Sequence, residues 1–111
     1  MAGISCNSVF KSVFKPKIDN WVVDSGANQH MTASESQLHD VVDVSQLNLK
    51  VSHPNGSSAQ INKIGNMQLS DSITLYDVFA VPDFNINLLS VHKLCRDSKC
   101  EVVFNEHNCY V

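Results

Sequence analysis

The chain has little basic charge, few glycines and prolines, and no long apolar run, and each scarcity removes a class of protein. Its 111 residues hold 8 lysines and arginines against 11 aspartates and glutamates, a formal net charge of -3, with an isoelectric point near 5.9. That balance lacks the basic excess that draws proteins to phosphates, so no direct nucleic-acid partner is expected. The one basic stretch, KSVFKPK, is short and reads as a solvated lead-in. No run approaches the roughly 18 apolar residues that cross a bilayer, and no membrane partner is expected. The start, MAGISCNSVF, lacks the charged and then apolar layout of a signal peptide, which points to an intracellular, cytoplasmic setting.

Cysteine is also arranged unhelpfully for a metal. The four residues Cys6, Cys95, Cys100 and Cys109 include a C-x4-C-x6-H-x-C series with His107, but the close C-x2-C pair of structural zinc sites is missing. Reduced core thiols are expected, with no metal and no cofactor. What the chain does have is 43% hydrophobic residues, enough for one core, and the length fits a single domain. Residues 1–17 read as a flexible N-terminal linker closed by Pro16, and residues 18–111 as the domain.

From Ile18 onward the sequence alternates short Val, Ile, Leu and aromatic runs with turn signals, the pattern of a small, mostly β domain. Trp21–Val23 is the first expected strand. Leu47, Leu49 and Val51 alternate with Asn48 and Lys50 and predict a half-buried strand. Asn55-Gly56 then predicts a hairpin tip, because both residues tolerate positive φ. The return arm carries Ile61, Met67 and Leu69, with Gly65 placed as a bulge. The strand ITLYDVFAV ends in the apolar run Val78–Val81, which predicts burial on both faces before Pro82 stops it. The spacing of Leu88, Val91 and Cys95 predicts one short helix over 88–96. CEVVF and CYV are two further short strand candidates.

One stretch carries chemistry. In WVVDSGANQHMT an apolar strand runs directly into Asp24, Ser25 and Gly26. Glycine lets the backbone pass close to a neighbour, and a carboxylate at a strand end can point into a cleft. Peptide hydrolysis by activated water needs a base for the water and an acid for the carbonyl oxygen, and two aspartates sharing one proton supply both. Another Asp-Ser, Asp71-Ser72, is followed by Ile73 and lacks the glycine. One chain therefore carries half a site, and a two-fold homodimer that brings the two copies of Asp24 together completes it.

The stretches WVVDSGANQHMT, VSHPNGSSAQINKIGNMQL and ITLYDVFAVPDFNINLLSVHKL, in that order, resemble the protease region of copia-type (Pseudoviridae) retrotransposon Gag-Pol polyproteins, within the retropepsin-like aspartic proteases. The resemblance covers about Asn20 to Val111. It implies a closed retropepsin-like β-barrel with one short helix and one lobe per chain. Asp24 would be the catalytic aspartate, with Ser25 and Gly26 completing the triplet. Asn55, Gly56 and Ser57 would tip a flap over the substrate, Ala27 and Asn28 would line its path, and Val78–Val81 would form part of its wall, with Val81 in contact. Asn87-Leu88-Leu89 would open the helix beneath the active-site loop. The substrate would be the element's own polyprotein, held as an added strand, and the setting a virus-like particle in the cytoplasm.

Two departures stand out. Asn85-Ile86 replaces the Gly-Arg pair that viral retropepsins carry, and Asn28 stands where Ser or Thr is usual. By the same resemblance an integrase would follow Val111 and a Gag-side linker would precede residue 18, so an excised fragment is expected. Against the protease stands a plainer reading, in which Asp24 only caps a turn and the domain is an inactive or domesticated module that dimerises or binds peptide. A third is a segment that stays inactive until its flanks are released. His30 and Met31 read as core packing, His53 as a loop residue near the substrate path, and His92 as surface.

Overall fold

The computed structural model describes residues 3–6, 21–24, 26–52, 56–104 and 109–110. Among the described residues eleven strands and one α-helix follow one another: β1 (Gly3–Cys6), β2 (Trp21–Asp24), β3 (Met31–Thr32), β4 (Leu38–Asp43), β5 (Lys50–Ser52), β6 (Ser58–Gln60), β7 (Lys63–Gln68), β8 (Thr74–Ala80), β9 (Asn87–Ser90), α1 (Val91–Ser98), β10 (Val103–Phe104) and β11 (Cys109–Tyr110). The protein is mostly β with one helix, as its short apolar runs require.

Seven strands form one mixed sheet in the order β1-β2-β9-β3-β8-β7-β4, while β5-β6 and β10-β11 form two small ladders. Among the described residues no pairing joins β1 to β4, so hydrogen bonding leaves the main sheet open. Strand β1 lies within the stretch expected to be a linker and pairs antiparallel with β2, Gly3 opposite Asp24. The sheet thus begins ahead of residue 18, and 7–17 fall outside the described residues.

The sheet separates two apolar clusters, and strand alternation decides which residue enters which. Trp21, Val23, Met67, Leu69, Leu75, Val78, Leu89 and Leu94 pack in one. Met31, Val44, Ala59, Ile61, Val81 and Leu88 pack in the other. The expected two-sided burial of the Val78–Val81 run is seen, since Val78 and Val81 are fully buried in opposite clusters.

The helix begins later than the spacing predicts. Leu88 and Leu89 belong to β9, which pairs parallel with β2 through Val22↔Leu88 and Val23↔Leu89. Placed in the middle of a sheet with an apolar cluster on each side, adjacent leucines both find cover, and that burial outweighs the helical period. The helix proper is Val91–Ser98, started by Ser90, whose side chain accepts from the Lys93 N–H. Lys99 ends it in the left-handed region at φ 50°.

The strand expected through Leu47, Leu49 and Val51 is also corrected. Leu47 closes a 3-10 turn over Ser45–Leu47 and is 65% exposed, and Asn48 turns the chain at φ 53°. Only Lys50–Ser52 is extended, and of the three alternating residues only Val51 packs against a cluster. The hairpin itself forms, with Lys50↔Gln60, Val51↔Ala59 and Ser52↔Ser58 paired. Gly56 carries a φ of 89°, a conformation that suits glycine, while His53, Pro54 and Asn55 lie outside the described residues. Gly65 sits where the β7-β8 register shifts, in line with its expected bulge.

Candidate functional site

Strand β2 ends at Asp24 in the interior of the main sheet, flanked by Gly3 of β1 and Ser90 of β9. The carboxyl group is fully buried. Its Oδ1 accepts a hydrogen bond from the Gly26 N–H at 2.7 Å, the local turn that Asp favours. Its Oδ2 is buried and has no partner among the described residues. A buried carboxyl oxygen without a donor is costly, and such groups call for an explanation beyond packing.

The loop that follows Asp24 is tied down at both ends by Ser90. Its hydroxyl donates to the Ala27 carbonyl at 2.6 Å, and its N–H donates to Nδ1 of His30 at 3.0 Å. The same hydroxyl accepts from the Lys93 N–H at 3.2 Å. His30 is buried and also accepts, through its carbonyl, from the Phe79 N–H at 3.0 Å. Burial, with the nearby Lys93 charge second, lowers the His30 pKa from 6.5 to about 3, so the ring is neutral across ordinary pH.

A second brace lies two residues beyond His30. Asn87 Oδ1 accepts from Thr32 Oγ1 at 2.9 Å and from the Ala33 N–H at 3.2 Å, fixing β3 against β9. Asn87 thus supports the segment after Asp24 from a strand, in place of the helix start expected for Asn87-Leu88-Leu89.

Beside this loop opens a cavity of about 250 Å³. Ala27, Met31, Val51, Phe79 and Leu88 give it apolar walls, and Asn28, Gln29, Lys50 and Ser52 supply polar groups. The cavity therefore joins the segment after Asp24 to the β5 arm of the hairpin, two stretches distant in sequence. Among the expected site residues, Ala27 and Asn28 line it. Gly26 is exposed, as are Gly56 and Ser57, while Val81 is fully buried in the second cluster and is not among the cavity's lining residues. Ser25 and Asn55 lie outside the described residues.

Comparison with known proteins adds the family. A family model described as Pol polyprotein, beta-barrel domain, matches residues 21–100, which take in every strand from β2 to β9 and the helix. The chain belongs to that family. It is 31% identical over 108 residues to the Retrovirus-related Pol polyprotein from transposon RE2 of Arabidopsis thaliana, covering 93% of this chain and 7% of that protein. The polyprotein from transposon RE1 of the same plant is 31% identical over 91 residues, 78% of this chain and 6% of the relative. The chain thus spans less than a tenth of the curated relatives it matches. No solved structure matches.

For this beta-barrel domain the sequence pointed to Asp24 but not to the residues that hold its loop. The sequence pattern does not single out Ser90 and reads His30 as packing alone. The signal for Ser90 was available: a serine immediately ahead of VHKL is an N-cap. Nothing in the sequence joins Ser90 to Ala27 and His30, because the contact arises only when β9 pairs with β2. Among the described residues, no three of His, Cys, Asp or Glu gather as metal ligands do.

Proposed function

We propose that this domain is the aspartic protease of a copia-type retrotransposon Gag-Pol polyprotein, working as a retropepsin-like homodimer. The observation that carries the reading is Asp24 itself, with one oxygen braced by the Gly26 N–H and the other buried without a donor among the described residues. A second Asp24 from a partner copy would supply that missing donor as a shared proton. One carboxyl group then takes a proton from water while the other gives one to the substrate carbonyl, and the attacking water forms the tetrahedral intermediate. The Ser25 and Gly26 of the triplet stay with Asp24 in this reading, and the relatives' retrotransposon Pol descriptions agree with it.

The substrate is an extended segment of the polyprotein. It lies as an added strand between the Asp24 loop and the hairpin tipped by Asn55, Gly56 and Ser57, with main-chain hydrogen bonds for affinity. An apolar substrate side chain fits the cavity of Ala27, Met31, Val51, Phe79 and Leu88, with Asn28 at its polar margin. Barrel closure, the dimer and the cytoplasmic particle setting belong to this reading.

One observation favours a second reading. Asp24 is fully buried within the single chain, which suits a segment that folds inactive or a module that binds without cutting. The test incubates the purified chain, at high concentration and mildly acidic pH, with a longer polyprotein fragment spanning its flanks, beside an Asp24→Asn variant. Cleavage that rises more steeply than linearly with protein concentration and disappears in the variant supports the protease. A folded dimer that cuts nothing supports the second reading.

A further inference from the structure

Asp24 can work with a symmetry mate only if its loop is held in place, and the chain has a specific device for holding it. Between Asp24 and His30 the backbone leaves the sheet and returns, exposing Gly26, Asn28 and Gln29 on the way. Such a segment has few apolar contacts of its own and would open locally at low free energy. It is closed by one residue of a distant strand: Ser90 donates from its hydroxyl to the Ala27 carbonyl and from its amide to His30 Nδ1. Ser90 itself pairs with Asp24 in the β2-β9 ladder, so the loop's start, middle and end are all referred to one point.

In this arrangement His30 does more than fill space. An apolar residue of similar volume would pack in the core but would leave the Ser90 N–H without an acceptor. That amide lies in the same residue whose hydroxyl fixes Ala27, the residue directly after the Asp24 brace at Gly26.

We infer that His30 is a positioning residue for the Asp24 loop, acting through the Ser90 amide to hold Gly26 and Ala27 in the geometry that orients the Asp24 carboxyl group. This inference rests on the protease reading for its effect on turnover, while its structural half stands apart from that reading.

The experiment compares His30→Asn, which keeps an acceptor close to the Nδ1 position, with His30→Leu, which removes it. In peptide cleavage, His30→Leu lowers kcat about 100-fold with KM nearly unchanged, as expected when reacting groups are misplaced, and His30→Asn recovers most of the rate. In parallel, amide hydrogen exchange at Gly26 and Asn28 and the Asp24 carboxyl 13C titration are followed by NMR at pH 7 and below. His30→Leu speeds loop exchange about tenfold and displaces the Asp24 titration, and His30→Asn does neither. A scalar coupling across the hydrogen bond from the Ser90 amide to Nδ1 confirms the contact in the parent chain.

Equal loop exchange and equal Asp24 titration in all three proteins overturn the inference, whether or not any of them cleaves peptide. A parent chain that never cleaves, yet shows the loop loosening only in His30→Leu, overturns the protease reading and leaves the positioning role standing. If His30→Leu fails to fold, His30→Gln gives the second measurement, since its amide mimics the Nε2 end of the ring and leaves the Ser90 N–H without the Nδ1 acceptor. Faster exchange at Gly26 supports the inference, and unchanged exchange there counts against it.

Discussion

Asn87 and Thr32, 55 positions apart in sequence, meet where β9 packs beside β3, and Thr32 Oγ1 donates to Asn87 Oδ1 at 2.9 Å. The same oxygen accepts from the Ala33 N–H, so one side chain satisfies a buried hydroxyl and the backbone donor that follows it. This brace keeps the strand after the Asp24 loop in register with the strand carrying Ser90.

Replacing Asn87 with leucine keeps the branched shape and removes the acceptor. Two donors then lose their partner, one of them on fully buried Thr32. The expected loss is about 1–3 kcal/mol of folding stability. Chemical denaturation checks it: the midpoint falls with an unchanged slope, whereas an unmoved midpoint shows that water replaces the side chain.

Gly65 is a second sharp test, this time of packing between strands. A Cβ added there would lie 3.0 Å from the His39 carbonyl, 3.1 Å from Leu38 Cβ and 3.2 Å from Val41 Cγ2, all on the neighbouring β4. The closest of these is backbone and cannot rotate away. Gly65→Ala therefore pushes β4 from β7 and costs about 1–3 kcal/mol, like other overpacked sites. Thermal unfolding of the variant beside the parent decides it, and an equal or higher Tm would show that β4 yields freely.

The pH dependence of stability follows from His30. Its folded pKa of about 3 lies below its ordinary 6.5, so between these values the unfolded chain binds more protons than the folded one. Stability is therefore fully present above pH 6.5 and falls as pH drops toward 3, by up to about 1.4 kcal/mol per pH unit. Asp43, held below its ordinary value of 3.8 by hydrogen bonds from Ser45, loses its contribution in the same direction at lower pH. Denaturation midpoints across pH 4 to 8 should show this slope in the parent chain and a shallower one in His30→Asn.

The elements legible in the sequence were those set by a short-range rule. Trp21–Val23, the β5-β6 hairpin and the buried end of β8 each follow from alternation or turn chemistry within a few residues. Leu88 and Leu89 depart from their helical spacing because their burial on both faces of β9 depends on β2 lying alongside, 66 positions earlier by the Val22–Leu88 and Val23–Leu89 pairing. For the candidate site, Asp24 was visible from its triplet, while the Ser90, His30 and Asn87 contacts are products of the same long-range pairing.

The clearest check on that lesson is the contrast between Leu47 and Leu89. Both are leucines in apolar-patterned stretches, and alternation alone would bury Leu47 as a strand residue. The structure leaves Leu47 65% exposed in a 3-10 turn and Leu89 fully buried in the core with Trp21 and Leu94. Leu47→Ala should therefore change stability by less than about 0.5 kcal/mol, as surface substitutions do. Leu89→Ala should cost about 2–5 kcal/mol, the transfer of its methyl groups plus the cavity left behind. Measured side by side in urea, a large loss at Leu47 would mean that 47–51 forms a packed strand after all. Equal small losses at both sites would mean that β9 is not an interior strand of the sheet, and the Ser90 contacts to Ala27 and His30 would lose their basis.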